Sequence, residues 1–195
     1  IFIPQENYIY PKDFEELDGI KSGEKGSLFE GAHRPGHFDG VLTVVNRLFD
    51  LVNPTSVVFG KKDAQQLYLV KEFLANKSNN LKIIEAEIIR DEYGLAMSSR
   101  NRLLSKSGIN IARNIFQILE NTKEHFIQNQ DIQQSEDFGK KLFDENAIEY
   151  DYLNFVDPKY FETPDSNREK LLLITAAYVQ GIRLIDNMEV IQWRT

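Results

Sequence analysis

From Phe38 onward the apolar residues Val41, Leu42, Val44, Val45, Leu48, Phe49, Leu51 and Val52 recur at helical spacing, with Arg47 and Asp50 falling between them. The pattern predicts a helix with a broad buried face, ended by Asn53 and Pro54. The next apolar run, SVVFG at Ser56–Gly60, is short, β-branched and aromatic and is closed by glycine, which predicts a buried strand. A helix from about Ala64 to Ala75 follows, and LKIIEAEII at Leu81–Ile89 predicts a second strand. Strand, helix and strand in sequence favour parallel pairing through a right-handed crossover. A polar cluster follows each predicted strand, at the carboxyl ends where open α/β sheets bind ligands.

Beyond Arg102 the texture changes. Helices are predicted at Lys106–Gln128 and Gln133–Asn146, and strands at Glu149–Val156, Leu171–Val179 and Ile182–Gln192, with Pro158–Arg168 as a polar loop. The chain therefore divides within Arg90–Leu103, into a domain over 1–92 and a smaller α+β domain over 93–195. At the start, IFIP predicts a short strand closed by Pro4, and Tyr8–Gly26 reads as a surface excursion. IFIP has no methionine before it, so the natural N-terminus is expected to lie upstream. Tyr10-Pro11 either lines a cleft edge or only fixes a turn.

With 195 residues, 42% of them hydrophobic, the chain can bury a real core. A net charge of −7 argues against nucleic acid or an anionic membrane as the main partner and favours small molecules. The absence of cysteine excludes disulfides and thiolate metal sites, and the three histidines are too dispersed for a structural zinc site. A cytoplasmic location is expected. No apolar stretch approaches the roughly 20 residues that span a bilayer.

The clusters carry the candidate chemistry. In FGKKDAQQ, Phe59–Gln66, Gly60 permits a tight turn, Lys62 is suited to phosphate, Asp63 to ribose hydroxyls, and Gln66 lies about one turn further on. The same residues also suit a helix capped by its own charged first turn. In GLAMSSRNR, Gly94–Arg102, the Ser98 and Ser99 hydroxyls stand beside Arg100, which can fork onto a phosphate; an ordinary capping segment fits as well. HRPGHFDG puts Arg34 and His37 in a Pro-Gly turn before the first long helix, where His37 either serves an anion or proton or caps locally. His125, on a polar helix face, is expected to be exposed and silent. The Walker A loop, GxGxxG, HExxH and GxSxG are all absent.

Taken together, EGAHRPGHFDGVLTVVNRLFDLVNP, FGKKDAQQLYLVKEF, DEYGLAMSSRNR and the terminal IRLIDN closely resemble the pantoate–β-alanine ligase (pantothenate synthetase) family, over the chain from about Ile1 to its end. The resemblance implies a Rossmann-like, parallel-sheet nucleotidyltransferase-type α/β domain whose N-terminal strands are missing, plus a smaller α+β C-terminal lid. It also implies a two-step reaction. Mg-ATP adenylates pantoate, releasing pyrophosphate; the β-alanine amine then attacks the acyl adenylate, giving pantothenate and AMP. By the same resemblance Gly60, Lys61, Lys62, Asp63, Ile89, Met97, Ser98, Ser99 and Arg100 hold ATP, with Ile89 beside the adenine. Gln66, Arg34 and His37 hold pantoate, and Lys62, Ser98, Arg100 and His37 do the catalytic work. No metal ligand is assigned, Mg2+ is expected with ATP, and a homodimer is typical.

Two departures from the family pattern stand out. Lys61 occupies a position where the family normally has Glu. The family's N-terminal part, with an HxGH phosphate loop and further pantoate and magnesium ligands, has no counterpart in these 195 residues. Loss of even one donor aimed at a reacting phosphate typically costs about 100- to 1000-fold in rate, so this chain alone is expected to be nearly inactive. An uncovered sheet edge would also leave it marginally stable or altered in association. Two other readings remain at this level: a non-catalytic nucleotide-binding or dimerisation fragment of the same family, and a different nucleotidyltransferase, which would leave Gln66 and RPGHF without a role.

Overall fold

A computed structural model describes residues 1–11, 20–77, 81–164 and 169–191. It divides into two compact units, one formed by Ile1–Phe59 and Gln65–Ala86, the other by Gly60–Ala64 and Glu87–Thr195.

The first unit is built on helix α3 (His37–Val52), which follows two short helices, α1 (Glu6–Ile9) and α2 (Glu30–His33). Phe38 and Leu42 of α3 are buried, and Val45 and Phe49 continue the same stripe at helical spacing. They pack against Leu69, Val70 and Leu74 of α4 (Ala64–Ala75). Asn53 stops α3 in the left-handed region (φ 47°), its N–H bonding the Phe49 carbonyl at 2.8 Å, and Pro54 follows. Strands β1 (Ser56–Gly60) and β2 (Lys82–Ala86) flank α4 and pair in parallel as a two-stranded sheet.

The strand expected to be buried is buried on one face only. Phe59 and Ile83 turn toward the helices, whereas Val58 is 64% and Ile84 42% exposed. Parallel strands are covered on both sides only where helices lie on both sides, and here the described helices cover one. β2 also ends three residues before the expected Ile89, because the chain leaves the sheet to form a hairpin. IFIP forms no strand: Ile1 to Ile3 are exposed, and no described strand lies alongside to supply ladder hydrogen bonds. The expected excursion after it holds α1 at its start, and its residues 12–19 lie outside the described ones.

The second unit has an antiparallel sheet in the order β3 (Glu149–Val156), β4 (Lys170–Val179), β5 (Ile182–Ile191), with helices α5 (Lys106–Asn129) and α6 (Ile132–Glu145). Ile115, Leu119 and Phe126 of α5 and Phe143 of α6 meet Leu153, Phe155, Leu171, Leu173 and Val190 of the sheet in a closed core. At Gly139 a Cβ would lie 2.3 Å from the Thr122 Oγ1, so α6 can approach α5 this closely only with glycine there. β4 and β5 are joined by Gln180 and Gly181, both with positive φ (52° and 74°), the geometry of a two-residue hairpin turn. On edge strand β3, the Phe155 N–H is taken by the Glu136 carboxylate of α6 at 2.8 Å. Burial pushes that carboxyl above the usual carboxylate range, with the hydrogen bonds and Lys140 offsetting part of the shift.

His125 is not on an open face. α6 folds back over it, so that its ring stacks on Phe138 at 4.4 Å and its Nδ1 lies 3.0 Å from the Ser135 Oγ. The final expected strand residue, Gln192, lies outside the described residues.

Candidate functional site

The two polar clusters at the strand ends become two backbone segments attached to strand β5. The first is the turn Gly60–Asp63, which leaves β1 and is closed by the Asp63 N–H on the Gly60 carbonyl at 3.3 Å before α4 begins. The buried Asn187 carboxamide spans this turn from below, its Nδ2 donating to the carbonyls of Lys61 (3.0 Å) and Lys62 (2.8 Å). With the main chain tied in this way, the side chains project. Asp63 is exposed, and the half-buried Lys62 makes no hydrogen bond from its ammonium among the described residues, its charge acting at longer range on the Asp186 carboxylate. Lys61 differs from its neighbour: its Nζ meets Glu87 at 2.5 Å and Glu189 at 3.8 Å. The unusual lysine is thus neutralised by two carboxylates.

The second segment is a hairpin from Ile89 to Met97. The Met97 N–H bonds the Ile89 carbonyl at 2.8 Å, and Arg90 bridges to Ala96. The Asp91 carboxylate closes the tip, accepting from the N–H groups of Tyr93 and Leu95 at 2.9 Å each and from Arg113. Gly94 sits at φ 92° with Phe116 so close that a Cβ would lie 2.0 Å from its ring. Ile89 and Met97, paired across the open end, are 70% and 55% exposed, an apolar platform beside polar groups. Ser98 then caps a tight helical turn, Ser99–Leu103, accepting from the Arg100 N–H at 3.2 Å. The Arg100 Nη1 donates to the Arg183 carbonyl at 2.9 Å, which orients the guanidinium without enclosing it.

The capping reading and the ligand reading of GLAMSSRNR therefore describe different atoms of one segment. The Ser98 oxygen caps, whereas the exposed Ser99 hydroxyl has no partner among the described residues. The arrangement offers cations, hydroxyls and an apolar platform on main chain that is already fixed, as binding a nucleotide requires. Among the described residues no three His, Cys, Asp or Glu side chains converge to hold a metal.

The other predicted residues lie in the first unit. Gly36 (φ 75°) makes the turn before α3, the His37 N–H bonds the Arg34 carbonyl at 3.0 Å, and the His37 ring packs on Phe38 at 5.0 Å. The Arg34 Nη1 meets Glu30 at 3.2 Å. Gln66 is half-buried, with its amide unpartnered among the described residues. The Gln65 amide beside it is buried and fully used: Nε2 donates to the carbonyls of Lys25 (2.8 Å) and Leu28 (2.9 Å), and Oε1 accepts from the Glu30 N–H at 3.1 Å.

Arg90, Asp186, Asn187 and Gln65 had no role in the sequence reading. A signal for two of them was present: Asp186 and Asn187 are consecutive polar residues within β5, so at least one projects to the apolar face of the strand and needs a partner there.

The chain matches the family model described as pantoate-beta-alanine ligase over residues 1–189. It is 37% identical over 188 residues to the pantothenate synthetase of Ruthia magnifica subsp. Calyptogena magnifica, covering 96% of this chain and 66% of that protein. With the pantothenate synthetase of Cytophaga hutchinsonii it shares 36% identity over 98% of this chain and 68% of the relative. Among solved structures it is similar to pantothenate synthetase from Thermus thermophilus, with a TM-score of 0.90 and 34% identity over 97% of this chain and 69% of that one. It is also similar to the pantoate-beta-alanine ligase of Francisella tularensis complexed with beta-gamma ATP and beta-alanine, with a TM-score of 0.72 and 31% identity over 95% and 62% of the two chains. The chain spans about two thirds of the length of the curated relatives it matches.

Proposed function

Since the chain belongs to the pantoate-beta-alanine ligase family, we propose that it serves the ATP-dependent condensation of pantoate with β-alanine through a pantoyl adenylate, and that the two segments on β5 are its nucleotide half-site. The observation that carries this is the contrast between main chain and side chain. The turn Gly60–Asp63 and the hairpin with its following turn are tied down by hydrogen bonds to β5, while Lys62 and Ser99 have no hydrogen-bond partner among the described residues and Arg100 remains exposed.

In this reading Lys62 and Arg100 neutralise the phosphates, Ser98 and Ser99 donate to them, and Asp63 with Gly60 takes the ribose. Ile89 and Met97 flank the adenine. Pantoate, whose carboxylate is to be activated, belongs to Gln66, Arg34 and His37. The carboxylate of pantoate attacks the α-phosphorus and pyrophosphate leaves; the β-alanine amine then attacks the acyl carbon and AMP leaves. Both steps need placement of two reactants and stabilisation of charge, and neither needs a covalent enzyme nucleophile.

Lys61 keeps its place in the half-site through its carbonyl, and its paired ammonium is not a phosphate donor. Mg2+ is proposed to arrive on the nucleotide's own phosphates, keeping most of its waters. A two-domain division at 92/93, a homodimer and a cytoplasmic location belong to the same proposal.

Calorimetric titration with Mg-ATP tests it. Lys62→Ala and Arg100→Ala should each weaken binding about 10- to 100-fold, the range for losing one charge-assisted hydrogen bond. Wild-type affinity in both variants would overturn the assignment.

A further inference from the structure

Asp186 and Asn187 are neighbours on β5, paired across the ladder with Thr175 and Ile174, and both are buried, at 6% and 4% exposure. Successive residues of a strand project to opposite faces, so the carboxylate and the carboxamide act on opposite sides of one sheet. On one side Asp186 takes Arg90 in a two-point fork, Nη1 to Oδ2 at 2.6 Å and Nη2 to Oδ1 at 3.0 Å. The remaining Arg90 bonds go to the carbonyls of Gly94 and Asn187, both at 2.9 Å, and its guanidinium lies over the Phe116 ring at 4.8 Å. Both terminal nitrogens of Arg90 are thus spent on this fork and the two carbonyls. Its effect is to hold the root and tip of the Ile89–Met97 hairpin to the strand. On the other side the Asn187 Nδ2 serves the Lys61 and Lys62 carbonyls.

We infer that Asp186 and Asn187 are positioning residues for the nucleotide, setting the spacing of its two binding segments from a single rigid strand. The inference rests on the half-site reading above. Asn187 takes part in both attachments: its side chain holds the turn bearing Lys62, and its backbone carbonyl receives Arg90. The side-chain part needs two donors on one short group, which the carboxamide NH2 supplies, whereas an Asp at 187 would set a carboxylate against two carbonyl oxygens. A strand backed by a closed core is a suitable reference for groups that must meet a ligand within a fraction of an ångström.

The test is Mg-ATP calorimetry on Asn187→Ala, Asn187→Ser and Asp186→Asn, with Lys62→Ala alongside, under conditions where circular dichroism shows each variant fully folded. Asn187→Ala should bind roughly 10- to 100-fold more weakly, the usual penalty for misplacing a group by about 1 Å. Asn187→Ser, whose hydroxyl can serve one carbonyl, should fall between it and the wild type, and it carries the test if the alanine variant does not fold. A merely structural role would lower the melting temperature yet leave the affinity of the folded variants at the wild-type value, and that result overturns the inference. If Lys62→Ala loses binding while the Asn187 variants keep it, the inference alone fails. If Lys62→Ala binds normally, the half-site reading fails and takes this one with it.

Discussion

Each unit carries one buried carboxamide that grips a loop by its main chain, and the two are embedded differently. Gln65 projects from the first turns of α4 and makes three bonds to the segment Lys25–Glu30, within a unit whose closed core, among the described residues, is five side chains and whose sheet has one open face. Asn187 projects from the third strand of a sheet backed by seventeen described core side chains. The Gln65 loop has its own side-chain tie, Asp39 to Ser22, and leads into Arg34 and His37. The Asn187 turn continues into α4 and bears Lys62. The difference teaches where positional precision comes from: in the second unit the core fixes the strand and the strand fixes the site, while in the first a loop is fixed chiefly by its own polar contacts.

The sharpest way to break this contrast is to remove one buried ring from each core. Phe126 is fully buried in the second unit, whereas Phe49 is a partly buried member of the first. Phe126→Ala should cost about 3–5 kcal/mol, because a cavity is left among side chains that cannot relax into it. Phe49→Ala should cost less than half of that, read by urea denaturation. Equal losses would mean that the two cores are equally close-packed.

The next effect concerns the amide itself. Gln65→Ala leaves the Lys25 and Leu28 carbonyls and the buried Glu30 N–H without their partner, a loss of about 1–3 kcal/mol. Hydrogen exchange at the Glu30 amide should accelerate with it. Unchanged exchange there would show that the loop is held by something other than Gln65.

The chain's periodicity made the elements of both units readable, and for physical reasons it made their closure less so. α3, α4 and β1 fall where spacing and the Asn53-Pro54 stop require, because those signals are local. Burial of β1 was overestimated, since an apolar run does not say how many helices will cover it. IFIP has strand composition but no partner, and pairing is not encoded in four residues. In the candidate site, Lys62 and Arg100 stand out in the sequence as cations within polar clusters, and the structure leaves the first half-buried and the second exposed. Gln65 and Gln66 end the same polar cluster, and the one-residue difference decides which amide is buried. The role of Arg90 carried no local signal, because its partner Asp186 lies 96 residues away.

The smallest effect sharpens the comparison through pH. Desolvation raises the Asp91 carboxyl, but the N–H groups of Leu95 and Tyr93 and the Arg113 guanidinium outweigh it and hold the group below its usual value of 3.8. Asp39 is likewise lowered, first by the Ser22 hydroxyl and then by the Ser22 N–H. A carboxyl depressed in the folded state adds stability that is fully present above its unfolded value and is lost as pH falls through the folded one. Both loops should therefore hold from neutrality down to about pH 4 and loosen only below it. The N–H groups of Tyr93 and Leu95 should gain exchange relative to the core of the second unit, and the Ser22 N–H relative to the first. Asp91→Asn should abolish the pH dependence at the hairpin while leaving that at Ser22 intact, because the two carboxylates share no partner. If Asp91→Asn also removed the response at Ser22, the loops would be opening together in one global transition, and the description of two separately held segments would fail.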